Sequence, residues 1–210
     1  MERAKSVLEF YALANRLKDV IRSGWEDWGL RRDRLESVAE HIYGTQMLAI
    51  AVYGEYKYAI NIYKVVLMLA VHELEEIAIG DLTAWDVPAD EKKRRGKEAV
   101  QEILSGLLCK EFIGEVISEY EERATTEAKF AYQIDKLECD LQAKLYDSEG
   151  CVDLANVQVP SKIVGDTRVT QLLESGKSWS GMWMEFGRDS YPYDDNFREL
   201  SLCAEQNALD

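Results

Sequence analysis

The chain has 210 residues, enough to bury a substantial core in one large domain or in a domain with an appendage. Its 39 acidic residues against 25 basic ones leave a formal charge of -14. That balance argues against a general nucleic-acid polymer or anionic-membrane partner, since both draw on basic surface, but it leaves a small anionic substrate open. Four cysteines (Cys109, Cys139, Cys151, Cys203) show no CxxC spacing and read as reduced packing thiols of a cytoplasmic protein. The start, Met-Glu-Arg-Ala-Lys-Ser, is too charged for a signal peptide. The longest apolar run, residues 65–71, is far short of the roughly 20 residues a span requires, so a soluble protein is expected.

In chain order, residues 4–21 place Val7, Leu8, Phe10, Tyr11, Leu13, Ala14, Leu17 and Val20 on one stripe and predict a first helix. Residues 22–34 carry Gly24, Gly29 and Asp33 and read as a loop. Ser37-Val38-Ala39-Glu40 has capping-box spacing, so a helix should begin near Ser37, carry His41 in its first turns and run to about Tyr53. A third helix is predicted over residues 61–79, broken by Gly80-Asp81. A turn at residues 86–88 precedes a charged helix with the run Lys92-Lys93-Arg94-Arg95, then an amphipathic helix over residues 111–123. Residues 126–146 form a long helix with Phe130, Ile134, Leu137, Leu141 and Leu145 on the core face and Asp135 beside it. A helix is expected at residues 168–174, and the aromatic-rich tail over residues 179–197 reads as irregular.

The chain holds only two histidines, His41 and His72. His72 follows the apolar run and opens His72-Glu73-Leu74-Glu75-Glu76. A helix that is apolar all round is buried, and a charged side chain at its end is costly to bury unless paired or bound to a metal. On a continuous helix, His72 and Glu76 face one way and Glu73 is rotated by about 100°. His72 and Glu73 could then share one ion, with Glu76 left for the water or substrate. His41 is the obvious second imidazole, and Asp135 the best-placed inward carboxylate. Such a set suits manganese, iron, cobalt or zinc rather than calcium. A satisfied structural histidine is the alternative, and spacing leaves it open.

The motifs also resemble, in order, those of the HD-domain metal-dependent phosphohydrolases, 5′-deoxynucleotidase branch. Arg22-Ser23-Gly24-Trp25 is similar to an Arg-x-Gly-Trp loop, and Glu36-Ser37-Val38-Ala39-Glu40-His41 to Glu-Ser-Val-x-x-His. His72-Glu73-Leu74-Glu75-Glu76 with Gly80-Asp81 resembles His-Asp-x-x-Glu followed by Gly-Asp. The run from Glu127 to Asp135 (Glu-Ala-Lys-Phe-Ala-Tyr-Gln-Ile-Asp) resembles Glu-Ala-Lys-Phe-x-x-Gln-x-Asp. The resemblance implies an all-α HD-domain bundle over residues 1–150; residues 151–210 lie outside the matched motifs and are expected as an extension packed on the same domain. It implies one divalent transition metal held by His41, His72, Glu73 and Asp135, and a deoxyribonucleoside 5′-monophosphate as substrate. Glu76 would orient or deprotonate the attacking water, and Asp81 would contact the sugar or assist proton transfer. Trp25 would wall the sugar pocket against a 2′-hydroxyl. Arg22, or another base of its loop, would hold phosphate, and Lys136 is a further phosphate candidate. A homodimer is expected on the same ground.

One residue departs from the pattern: the family aspartate is Glu73 here. The extra methylene would push the ion outward or present the other oxygen. The departure motivates one alternative function, a catalytically weak metal- or nucleotide-binding regulator; the runner-up among enzymes is hydrolysis of another small phosphoester, such as a nucleoside triphosphate or a non-nucleotide. Lys92 to Arg95 reads as a solvated face, Glu75 as solvent-facing, and Trp179, Met182, Trp183, Met184 and Phe186 as packing of the tail. No GxSxG or phosphate-loop motif occurs.

Overall fold

The computed structural model describes residues 1–83, 85–153, 163 and 165–209. Every regular element among them is helical, and one isolated antiparallel bridge joins Ile21 and Ser37. The all-α expectation is borne out. The chain forms two compact units, Met1–Ser23 with Glu36–Tyr132, and Gly24–Leu35 with Gln133–Asp210.

In the first unit, α1 (Glu2–Ala14) buries no residue and tightens into a 3₁₀ turn at Asn15–Lys18, which buries Leu17. The chain is then extended instead of helical to residue 21. Val38 N–H donates to the Val20 carbonyl at 2.8 Å and Arg22 N–H to the Glu36 carbonyl at 3.0 Å. This pairing sets Arg22 beside the start of α3 (Val38–Tyr56). The Ser37 capping box is present in full: Glu40 N–H donates to Ser37 Oγ at 3.3 Å, and Ser37 N–H to Glu40 Oε2 at 3.0 Å. Val38, His41, Thr45, Ala49 and Val52 then fall on one buried stripe.

The third helix is shorter than its periodicity predicts. Helix α4 (Ile62–Val71), capped by the Asn61 side chain, stops with His72 at its C-cap, and residues 72–75 turn before α5 (Glu76–Ile79). Gly80 follows at φ 74°, a left-handed conformation glycine adopts without penalty. Helices α6 (Ala89–Leu104) and α7 (Lys110–Glu122) complete the predicted series. The long helix α8 (Thr126–Ser148) contributes its first turns to this unit and the rest to the other. Phe130, Ile134 and Leu137 are buried as expected, but the stripe continues through Ala143 and Tyr146 while Leu145 is exposed. At 3.6 residues per turn, Leu145 lies about 80° past the Leu137 direction, so the face drifts off it.

The second unit corrects two readings. The loop of residues 22–34 contains a short helix, α2 (Ser23–Asp27). The tail is not irregular: after α9 (Thr167–Glu174) come α10 (Trp179–Ser190) and α11 (Asp195–Gln206). Ser178 and Asp194 accept hydrogen bonds from the first-turn amides of these two helices. Two glycines and dense aromatics obscured the helical signal. Those aromatics build the core: Trp25 packs against Tyr146 and Trp183, each at 5.3 Å between ring centroids, and Trp28 against Trp179 at 6.0 Å.

Gly187 of α10 lies against Asp140 of α8, and a Cβ there would overlap the carboxylate. Asp140 is 2 % exposed, accepts a 3.0 Å hydrogen bond from the Tyr193 hydroxyl, and has little room to withdraw. Gly187→Ala should therefore destabilise the protein by about 1–3 kcal/mol through overpacking. Urea unfolding measures this, and a change within about 0.5 kcal/mol would show that Asp140 yields freely.

Candidate metal centre

His41 is fully buried on α3, and its ring centroid lies 5.6 Å from that of His72. His72 Nδ1 is 2.9 Å from the Leu69 carbonyl oxygen. A carbonyl can only accept, so Nδ1 carries the proton and Nε2 presents its lone pair, the tautomer a metal ligand needs. The Tyr120 ring packs T-shaped with the same imidazole, 5.2 Å between centroids. Glu73 Oε1 is 3.6 Å from His72 Nε2. His41, His72 and Glu73 each offer a ligand atom, and these lie within 4.8 Å of one another. The expected pairing of the two histidines with Glu73 is thus present in the first unit.

The break after Val71 arranges the acids. Glu76 opens α5 at 1 % exposure, with Lys92 Nζ 3.5 Å from its Oε1. Arg22 reaches between Glu73 Oε1 at 3.6 Å and Asp81 Oδ1 at 3.7 Å. The other Asp81 oxygen accepts from the Ser23 amide at 2.7 Å and the Ser23 hydroxyl at 3.2 Å, which fixes the carboxylate. Burial, then Glu73 and Asp81, push the Glu76 carboxyl up to about 11, with Arg22 and Lys92 opposing. Burial and Glu73 push Glu75 up to about 8. Glu75 is therefore not solvent-facing as expected: the turn at residues 72–75 rotates it inward. One carboxyl oxygen of each, Oε2, is buried without a hydrogen-bond partner among the described residues.

These residues fit a divalent cation. Four acids, Glu73, Glu75, Glu76 and Asp81, meet two cations, Arg22 and Lys92, and a 2+ ion would favour the ionised forms of the two acids that burial otherwise keeps protonated. Two imidazoles with carboxylate are first-row transition-metal donors.

The other predicted residues lie in the second unit. Asp135, on α8, is 2 % exposed, and Lys136 Nζ lies 2.9 Å from its Oδ2. Burial would lower the Lys136 ammonium, but Asp135, aided by Tyr191 and Cys139, outweighs it and holds the pKa above the ordinary lysine range. Trp25 is 2 % exposed within the aromatic core.

Sequence reasoning missed Ser23 and Lys92. Ser23 sits inside a quoted motif, but its partner is 58 positions away. Lys92 was hidden in a basic run. The buried stripe of α6, Gly96, Ala99, Val100 and Ile103, leads back one turn to it, which was the available signal.

Residues 14–174 match the HD domain family. The 5′-deoxynucleotidase HDDC2 of Homo sapiens is 36% identical over 148 residues, covering 69% of this chain and 70% of that protein. The 5′-deoxynucleotidase hdd1 of Schizosaccharomyces pombe is 31% identical over 171 residues, covering 77% and 84%. A crystal structure of a Pyrococcus horikoshii OT3 protein superposes with a TM-score of 0.67 at 21% identity, covering 95% of this chain and 98% of that one, which supports the fold. The chain belongs to the HD-domain family, in its 5′-deoxynucleotidase branch. An HD domain implies a divalent metal.

Proposed function

We propose that this chain is a metal-dependent phosphohydrolase that converts deoxyribonucleoside 5′-monophosphates and water into deoxynucleosides and inorganic phosphate. The observation that carries this reading is the trio His41, His72 and Glu73, both imidazoles buried and the carboxylate beside them half-buried, with the Leu69 carbonyl holding His72 in the ligating tautomer. Asp135 is proposed as the fourth ligand, on the resemblance of its motif and its burial. Bound there, a divalent ion supplies polarisation of the phosphoryl oxygens, a water of lowered pKa, and charge that draws Glu76 back toward its ionised form. Manganese, cobalt, iron and zinc are the proposed choices.

Glu76 then takes a proton from the attacking water as the bond from its oxygen to phosphorus forms. Asp81, oriented by Ser23, is proposed to assist passage of that same proton from Glu76 to the departing 5′-oxygen as the phosphorus–oxygen ester bond breaks. Arg22, already paired to two carboxylates, is placed to turn to the phosphate dianion, and Lys136 is proposed to touch it as well. Trp25 is proposed to wall the sugar. Tyr146, Trp179 and Trp183 clamp its ring, so it would not yield to an added 2′-hydroxyl.

The test is phosphate release from a panel of deoxyribo- and ribonucleoside monophosphates with manganese, cobalt or EDTA. Metal-dependent release favouring the deoxyribonucleotides is expected. No release from any phosphoester would sink the reading, and equal rates on both sugars would remove the role of Trp25. Glu73→Asp, which restores the shorter carboxylate, should keep or raise the rate; complete loss would mean that the centre is built around the glutamate reach. No helix among the described residues is long and apolar enough to cross a membrane, and a cytoplasmic location is proposed. The proposed homodimer predicts twice the chain mass by light scattering.

A further inference from the structure

The acids of the centre are held by Arg22 and Ser23 on one side, and a different element reaches them from the other. Helix α6 carries four consecutive basic residues, and they divide sharply. Arg94 pairs with Glu91 and Glu98, Arg95 with Glu91, and Lys93 with Glu121, all partly or largely exposed. Such pairs contribute little beyond solubility. Lys92 alone of the four turns inward: its Nζ donates to the Leu82 carbonyl at 2.7 Å and lies 3.5 Å from Glu76 Oε1. One turn along α6, Gly96 sits so near Glu75 that a Cβ would stand 3.3 Å from its Cγ. That close approach brings α6 near enough for the lysine to reach. Leu82 directly follows Asp81, whose carboxylate Ser23 fixes.

We infer that Lys92 is a positioning residue of the centre, its ammonium joining the Glu76 carboxyl to the backbone that carries Asp81. The two groups proposed to handle protons are thereby held in one fixed relation, and the loop of residues 80–83 cannot drift from α5. An ammonium suits this task because its three donors can serve a carbonyl and a carboxylate together. The inference rests on the proposed hydrolase activity for its kinetic consequence and on geometry alone for its structural one.

The experiment compares Lys92→Ala and Lys92→Arg with the wild-type, metal-loaded enzyme. Lys92→Ala should lower kcat about 10- to 100-fold while KM moves less than about threefold, as loss of an orienting partner does. Metal content and melting temperature should stay near wild type. Added ethylammonium should restore part of the alanine variant's kcat without affecting the wild type, and Lys92→Arg should retain more activity than Lys92→Ala. An unchanged kcat overturns the inference, as does a loss that follows a fall in melting temperature or metal content, or one that no amine rescues. Amide exchange at Leu82 and Thr83 gives a readout without turnover: it should be faster in Lys92→Ala, and unchanged exchange overturns the anchoring role. A wild-type protein inactive on every phosphoester would count against the hydrolase reading, and the exchange measurement would still decide on Lys92.

Discussion

His41→Ala should strip the centre of its metal and reduce phosphate release by about 1,000-fold or more, because phosphomonoesters hydrolyse very slowly without such help. The imidazole is fully buried and sits 5.6 Å from that of His72, so nothing from solvent replaces it in place. Metal binding to the native state alone stabilises it by about 2.7 kcal/mol at a hundredfold excess over Kd. Wild type should therefore melt at higher temperature as manganese or cobalt is added, and His41→Ala should not. Elemental analysis, thermal melting and phosphate release measure three consequences of one loss. A variant that retains wild-type metal content and rate would show that His41 is a core histidine and nothing more.

Glu76→Gln should lower kcat by about 10²- to 10⁴-fold, the range for loss of a general acid or base, while metal content is kept. The same substitution has a second effect in metal-free protein. The Glu76 carboxyl is raised from 4.5 to about 11, chiefly by burial and then by Glu73 and Asp81. Between those values the folded chain holds a proton that the unfolded chain has released. Stability from this group is thus fully present below pH 4.5 and is lost as pH rises through that window. The slope is at most about 1.4 kcal/mol per pH unit. Glutamine cannot ionise, so the variant's melting temperature should fall less between pH 5 and 9 than the wild type's, a range chosen to lie within the window of the raised carboxyl. Glu75, raised to about 8, adds its own slope in both proteins. Parallel curves would mean that Glu76 is ionised in the folded, metal-free chain.

The expectations that held rest on short-range physics. The Ser37 capping box is a contact between residues three apart, so the start of α3 and the inward direction of His41 could be read directly. The same holds for the buried stripe of α8 as far as Leu137. The first helix, by contrast, was read too long. Val20 and Arg22 find partners in Val38 and Glu36, which makes extended backbone better than a further helical turn. The tail was misread because α10 carries Gly181 and Gly187 among its aromatics, which masks the helical period that the Ser178 cap begins.

The sequence by itself determined the donor chemistry: two histidines, a carboxylate beside one of them, and ordered motifs that name the family. It also determined most helix starts, because caps and periodicity are local properties of the backbone. Only the tertiary structure decided which acids are desolvated and what faces them. The break at residues 72–75 turns Glu75 and Glu76 inward, Arg22 bridges Glu73 and Asp81, and Lys92 alone of its basic run reaches the centre. Burial and charge pairing depend on partners many positions apart, such as Ser23 and Asp81, and no local pattern encodes the separation between them.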